Sequence, residues 1–481
     1  MVGRIGMSAV VLVGLLAGNL GAAEQRLNVI LLLADDLGWT GLRCFGSDLY
    51  ETPHLDQLAA TGMRFTDSYS ACTVCSPTRA SIMTGMYPAR VHLTDFIAGQ
   101  NRPWARLKIP DWTPGLKQHY VTIAAALQQA GYATAHVGKW HLSFPRGTAR
   151  DMSGPEQHGF DVSYVKPQGT RGYRLPSGFN RKGESGSDYL TDYLTDQALA
   201  VIDRHQDRPF FLYFAYHTPH TPIQGRSDLV GAFRSKVREQ AVHKNPEYAA
   251  MVASLDQSVG RILQRLERRG MSDRTVVIFT SDNGGLTQRF GRHDGFTDNL
   301  PLRRGKGSAF EGGVRVPTIV HWPGVTRPGT VCRVPVISID YYPTILEMAG
   351  ATGDLQHNTR VDGRSLVPLL KDPATASNRS LFWHYPHYHA GGDSPYSAVR
   401  SGNWKLIEFH EGPELALFDL SRDPGESQNL ARQLPRQAAK LRERLREWQR
   451  KVGAQMTSQN PDYDPAQADK VRRAPRSRDK G

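Results

Sequence analysis

Four apolar runs along the chain end on polar side chains that can do chemistry. Leu27-Asn28-Val29-Ile30-Leu31-Leu32-Leu33 is almost continuously apolar, as expected of a strand buried on both faces of a parallel sheet, and it runs into Asp35-Asp36. Thr275 to Thr280 repeats the pattern and ends at Asp282-Asn283-Gly284-Gly285. Ala133 to Gly138 leads into Lys139-Trp140-His141, and Pro209 to Ala215 leads into His217-Thr218-Pro219-His220. In open α/β sheets the ligand crevice lies beyond the carboxyl ends of the strands, so these four endings can converge there.

Helical spacing fills the intervals at Thr122 to Gln129, Tyr189 to Asp203 and Tyr248 to Arg269. In the last, Val252, Leu255, Val259, Ile262 and Leu266 form one apolar stripe, and Gly270 is a natural stop. The alternation predicts an α/β fold with a large, mostly parallel (mixed) central sheet flanked by helices, over residues 24–375. Shorter strand-like pieces follow at Tyr396 to Arg400, Lys405 to Phe409 and Leu415 to Asp419, then a helix from about Leu434 to Arg450. These read as a smaller C-terminal antiparallel sheet plus helix over 376–455. A basic tail, 456–481, lacks apolar periodicity and reads as disordered.

At 481 residues, with 39% hydrophobic and 22% charged content, the chain has the composition of an ordinary globular protein rather than a disordered one. Arg4, the apolar run Ala9 to Leu16 and the small residues Gly21-Ala22-Ala23 read as a secretory signal peptide over 1–23, which predicts an exported, periplasmic or extracellular protein. The run is too short to span a bilayer comfortably, so no transmembrane anchor is expected after cleavage. Beside Cys75 stand Cys44, Cys72 and Cys332, enough for at most one bridge, so disulfides are not what holds the fold. The formal net charge of +13 favours anionic partners in general. Part of it lies in the tail, and no specific nucleic-acid partner is assigned.

Asp35, Asp36, Asp282 and Asn283 form an all-oxygen set suited to a hard divalent cation, Ca²⁺ or Mg²⁺. Asp-Asp and Asp-Asn-Gly-Gly also suit strand-end turns on local grounds. Between these pairs lies Cys75-Ser76-Pro77-Thr78-Arg79-Ala80-Ser81-Ile82-Met83-Thr84-Gly85. Pro77 fits a helix start and Ser76 can cap it, which sets residue 75 beside the positive helix end. Arg79 follows one turn later. A thiolate is nevertheless a poor partner for a hard cation.

That run resembles the signature of the type I sulfatases of the alkaline phosphatase superfamily, in which the cysteine is oxidised to formylglycine by a formylglycine-generating enzyme. The resemblance implies Ca²⁺ held by Asp35, Asp36, Asp282, Asn283 and the modified Cys75. In that family one hydroxyl of the hydrated aldehyde attacks sulfur, the alcohol leaves, and deprotonation of the second hydroxyl expels sulfate and reforms the aldehyde. Gly138-Lys139-Trp140-His141-Leu142 resembles the family segment that supplies a sulfate-contacting lysine and a histidine assisting aldehyde recovery. A glycine commonly follows that segment, whereas Ser143 stands here. The resemblance also implies His220 as sulfate contact and leaving-group acid, with His217 structural. Lys306, within Leu302 to Pro317, corresponds to the lysine bridging sulfate and ester oxygen, and the glycines beside it would let backbone approach an anion. Asp423 to Leu430 resembles the family's end segment, so the likeness runs from Leu27 to Leu430. It is least specific over Gly99 to Tyr120 and Ser143 to Lys182, where substrate choice is expected.

The overall pattern is most similar to the arylsulfatase and N-acetylgalactosamine-6-sulfatase branch, which implies an aryl sulfate or a sulfated saccharide as substrate. The competing readings are a phosphate or phosphonate ester hydrolase of the same superfamily and a non-catalytic polyanion-binding homologue. His384-Tyr385-Pro386-His387-Tyr388-His389 suits either sugar contact or an edge strand packed on the main domain.

Overall fold

The apolar runs pair side by side in one eight-stranded sheet, as a computed structural model describing residues 26–143, 154–179, 182–287, 295–412 and 414–471 shows. The segment read as a signal peptide and residues 472–481 of the basic tail lie outside the described residues. The strands are β1 (Asn28–Ala34), β2 (Met63–Phe65), β3 (Ala133–Gly138), β4 (Val162–Tyr164), β5 (Phe210–Ala215), β6 (Thr275–Ser281), β7 (Thr318–His321) and β8 (Thr330–Cys332). Their order is β8-β2-β7-β6-β1-β5-β3-β4. From β6 to β4 all neighbours are parallel, while β7 runs antiparallel to both β6 and β2, so the sheet is mixed.

Register turns this sheet into a site. Leu33 pairs with Ala215 of β5 and with Thr280 of β6, which brings three strand ends level. Beyond them the Asp35 amide donates to Thr218 O at 3.1 Å, and the Asp282 amide to Ala34 O at 3.1 Å.

Alternate residues of β1 enter two separate cores, as period two dictates. Ile30 and Leu32 pack with helices α4 (Leu190–Arg204) and α5 (Pro246–Arg268) on one face. Val29, Leu31 and Leu33 face α2 (Cys75–Thr84), α3 (Ile123–Gln129) and α6 (Tyr341–Met348) on the other, and α1 (Pro53–Thr61) lies on the first face. The predicted stripe of α5 is buried throughout. Its helix starts two residues earlier than expected because Asn245 accepts from the amides of Glu247 and Tyr248, with Pro246 in the first turn.

The C-terminal unit is a four-stranded antiparallel sheet, β9 (Ser380–Tyr385), β10 (Tyr396–Ser401), β11 (Trp404–Phe409) and β12 (Leu415–Asp419), covered by α7 (Pro435–Val452). Strand β9 adds to the three pieces expected, and the Trp383 indole donates to Ser70 O at 2.8 Å, tying it to the segment before α2. His384 is buried between Ser397 Oγ and Gln455 O, so it packs rather than faces a ligand.

The reading of 456–481 as a disordered tail is corrected over 456–471. Ser458–Gln459 pairs antiparallel with Leu107–Lys108, and Asn460 Nδ2 donates to Pro103 O and Ala105 O. The Asp464 amide also donates to Trp104 O at 3.2 Å, and none of these polar contacts leaves an apolar period in the sequence. All four cysteines are free thiols. Among the described residues no helix is long and apolar enough to cross a membrane.

Candidate active site

Cys75 is the first residue of α2, 2% exposed, and every residue of that helix is buried. Ser76 does not cap it. Val74 is the capping position without a side-chain bond, and Ser76 Oγ instead accepts from the Ile97 amide at 3.2 Å, because the helix begins two residues earlier than expected. Residue 75 still meets the positive helix end.

Arg79, one turn on, is wholly buried and joins three elements. Its Nε and Nη2 donate to Asp282 Oδ2 at 2.9 and 2.7 Å, Nη1 donates to Lys139 O at 2.8 Å, and Asp35 Oδ1 lies 3.5 Å away. Burial opposes its charge, but Asp282 and Asp35 more than offset this and hold it protonated.

The carboxylates lie against two lysines. Lys139 Nζ donates to Asp35 Oδ2 at 2.6 Å, and Lys306 Nζ is 2.8 Å from Asp36 and 3.9 Å from Cys75 Sγ. Asn283 Nδ2 donates to Asp36 Oδ1 at 2.8 Å, and the Asp36 amide donates to Asp282 Oδ1 at 3.1 Å. Burial pushes the acids up, yet Lys139 holds Asp35 well below the usual carboxylate range and Lys306 holds Asp36 below it. Asp36 and His141 take left-handed backbone angles, φ 64° and 56°, which non-glycine residues seldom adopt outside constrained sites.

The set fits a hard cation. Ligand atoms of Asp35, Asp36, Cys75 and His220 lie within 4.8 Å of one another, and Asp35 Oδ1 and Asn283 Oδ1 are buried oxygens without a hydrogen-bond donor. Asp282 adjoins this cluster through its bonds to Arg79 and to the Asp36 amide. Among the described residues there is no second cluster of this kind, as a two-metal phosphatase site would need.

These groups form one end of a cavity of about 380 Å³. His141 Nε2 bonds Ile97 O at 2.6 Å, which makes Nε2 the protonated nitrogen and leaves the buried Nδ1 unpartnered. Burial, reinforced by Lys139, lowers its pKa to about 3 and keeps the ring neutral. His220 Nδ1 bonds Thr221 O at 2.7 Å, and its Nε2 lies 3.6 Å from Asp36 Oδ2. His217, read as structural, also lines the cavity, and its Nε2 is buried without a partner.

The glycines beside Lys306 have a different use from the one expected. A Cβ on Gly305 would lie 2.2 Å from Gly285 O, and one on Gly307, at φ 84°, 2.2 Å from His389 Nδ1. They let the loop press against neighbouring chain, which aims Lys306 inward. Sequence reasoning missed Phe96, Ile97, Gln100, Lys166, Tyr173 and Leu286 on the cavity wall, and left His389, which also lines it, between sugar contact and a packed strand. They come from loops, where no periodicity marks them. Gln100, Lys166 and Tyr173 do fall within the two stretches from which substrate choice was expected.

The sequence profile of the Sulfatase family matches residues 27–351, and that of the N-sulphoglucosamine sulphohydrolase C-terminal region matches 305–451. The chain belongs to the sulfatase family. This sulfatase is 32% identical to a sulfatase of Formosa agariphila, over 92% of this chain and 93% of that one. It is 33% identical to human arylsulfatase A, over 86% and 85%. Among solved structures, Ps i-CgsB superposes with a TM-score of 0.74 at 27% identity, covering 91% of this chain and 95% of that one. The sulfatase is thus a sulfuric ester hydrolase acting on sulfate monoesters.

Proposed function

We propose that the sulfatase hydrolyses aryl or saccharide sulfates through a formylglycine made from Cys75, with Ca²⁺ held by Asp35, Asp36, Asp282, Asn283 and the modified residue 75. The observation that carries this reading is the position of Cys75, 3.9 Å from Lys306 Nζ and clustered with Asp35, Asp36 and His220. Burial holds the Cys75 thiol above its ordinary range despite Lys139 and Lys306, so the unmodified side chain is a protonated, weak nucleophile. Oxidation to the aldehyde, then hydration, supplies a hydroxyl to attack sulfur and a second hydroxyl whose deprotonation releases sulfate. The all-oxygen set also admits Mg²⁺; either cation supplies a Lewis acid for the sulfate oxygens.

The chain's own groups divide the remaining work. Lys139 and Lys306 offset negative charge on sulfate and on the departing oxygen. Thr221 O holds His220 Nδ1–H, so the ring carries a proton on Nε2 for the leaving alcohol only as the imidazolium, a form that burial opposes and Asp36, 3.6 Å from Nε2, favours. His141, neutral with Nδ1 free, accepts the proton whose loss collapses the sulfated intermediate. Arg79 fixes Asp282 and Asp35 and acts by positioning.

Because α2 is buried along its length, a formylglycine-generating enzyme must reach Cys75 before the chain folds. The N-terminal apolar run is consistent with export to the periplasm or outside the cell. A saccharide substrate is supported by Ps i-CgsB, solved with k-i-k-neocarrahexaose, and an aryl one by human arylsulfatase A.

The test is turnover of 4-nitrophenyl sulfate against 4-nitrophenyl phosphate by aldehyde-bearing protein. Sulfate should be preferred. Activity should vanish in Cys75→Ala and on chelation with EDTA, and return with added Ca²⁺. A phosphate preference would transfer the site to phosphate or phosphonate esters, and polyanion binding without turnover would make it a binding protein.

A further inference from the structure

Lys166 lines the cavity from the loop after β4, and the mechanism above leaves it without a task. Its Nζ donates to Gly172 O at 2.8 Å, and no acidic side chain pairs with it among the described residues. The other cations of the site are committed: Lys139 to Asp35, Lys306 to Asp36, Arg79 to Asp282. An ammonium carries three donors, so Lys166 keeps two and its whole charge. It is half-buried, and burial makes the charge costly, lowering its pKa from the ordinary lysine value.

Its surroundings are rigid. The Tyr173 amide donates to Gln224 Oε1 at 2.8 Å, and the Tyr173 hydroxyl donates to the carbonyls of His217 and His220. The Leu190 amide in turn donates to Tyr173 O at 2.8 Å. Gly172, Tyr173, His217 and Pro222 share this wall with Lys166, and His217 Nε2 there is buried without a partner. A cation held by a backbone carbonyl on such a wall is preorganised for an anion and does not compete with the acid cluster.

We propose that Lys166 forms an anion subsite within the catalytic cavity, receiving a second acidic group carried by the alcohol part of the ester. This rests on the sulfate-ester reading above and narrows its substrates to doubly charged esters, such as a disulfated sugar or a sulfated sugar joined to a uronic acid. The recognition chemistry is the same for sulfate and carboxylate, a charge-assisted hydrogen bond to an oxyanion.

The experiment compares kcat/KM of the full-length, aldehyde-bearing enzyme on 4-nitrophenyl sulfate, on mono- and disulfated hexosamines, and on monosulfated disaccharides with and without a hexuronic acid. The wild type should prefer at least one doubly charged ester over its singly charged counterpart by about ten- to hundredfold, and which pair does so identifies the anion. Lys166→Gln retains a donor for Gly172 O but no charge, and should erase that preference while leaving 4-nitrophenyl sulfate within about twofold. Lys166→Arg should keep most of the preference. A wild type indifferent to the second charge overturns the subsite, as does a Lys166→Gln variant that loses activity equally on every ester. Absence of turnover of any sulfate ester by aldehyde-bearing wild type would instead sink the sulfate-ester reading, and the subsite with it.

Discussion

His220 and His217 lie three residues apart, line one cavity and differ in their partners. His220 Nδ1 is tied to Thr221 O, while its Nε2 approaches Asp36; no hydrogen bond reaches His217 Nε2. If His220 delivers the leaving-group proton, its removal should matter in proportion to the basicity of the alcohol. His220→Ala is expected to lower kcat/KM on a saccharide sulfate by about 10²–10⁴-fold, and on 4-nitrophenyl sulfate, whose phenolate leaves readily, by much less. Equal losses on both esters would assign His220 to sulfate binding alone. At this scale the sequence was informative where a residue's place follows from a strand or helix end. Asp35, Asp36 and Asp282 come together because parallel strands finish level, and Cys75 joins them from the start of helix α2. It was silent where a contact depends on a distant loop: Ser76 meets the Ile97 amide, and Ile97 O fixes the tautomer of His141, through a loop with no local signature.

The loop that carries Lys306 is held from the C-terminal sheet. Lys405 Nζ on β11 lies 2.9 Å from Glu311 Oε1 and 3.0 Å from Glu426 Oε1, all three side chains fully buried. The Glu311 amide donates to Glu426 Oε2 at 2.6 Å, and Arg303 Nη1 to Glu426 O at 2.8 Å. The Asp423 to Leu430 segment, legible only as a resemblance, thus anchors both ends of the 303–311 loop. Removing the cation leaves buried Glu426 without a positive partner, while Glu311 keeps Arg315 and the Tyr69 hydroxyl, so Lys405→Met should lower unfolding free energy by about 3–5 kcal/mol, measured by chemical denaturation. One ammonium shared by two acids also separates their titrations. Burial pushes Glu426 up to about 7, while Lys405 and the neighbouring arginines bring Glu311 down to about 2 against burial. A carboxyl raised above its unfolded value of 4.5 binds its proton more tightly when folded, so its contribution to stability is lost as pH rises from about 4.5 through 7. Glu311 acts in the opposite sense, losing its contribution as pH falls from about 4.5 toward 2. Glu426→Gln should therefore flatten the stability profile between pH 4.5 and 7 relative to wild type; parallel profiles would place the proton elsewhere. Strand β9 stayed undecided in the sequence because His384 and Tyr385 suit a ligand site as well as a packed edge strand, and the contacts of Trp383 with Ser70 and of His384 with Ser397 and Gln455 decide for the strand.

Across the whole molecule, the reaction centre belongs to the large sheet, and the cavity above it is shared. Phe96, Gln100, Lys166 and Tyr173 come from loops of the large unit, while His389 reaches in from the segment after β9. Ser458–Gln459 folds back onto Leu107–Lys108 and braces the loop that follows Gln100. The hydrophobic pattern foretold the sheet and its polar rim, since burial on two faces leaves a strong signature. Cavity walls, built from loops that satisfy only local backbone needs, leave none. The account stands on residue 75 being an aldehyde in the working enzyme, with the folded site unable to use the thiol. Preparations differing in their degree of Cys75 conversion can be titrated with a carbonyl-reactive probe and assayed with 4-nitrophenyl sulfate in Ca²⁺. Turnover should rise in direct proportion to the aldehyde fraction and extrapolate to none at zero conversion. Equal turnover by fully unconverted protein would contradict the account.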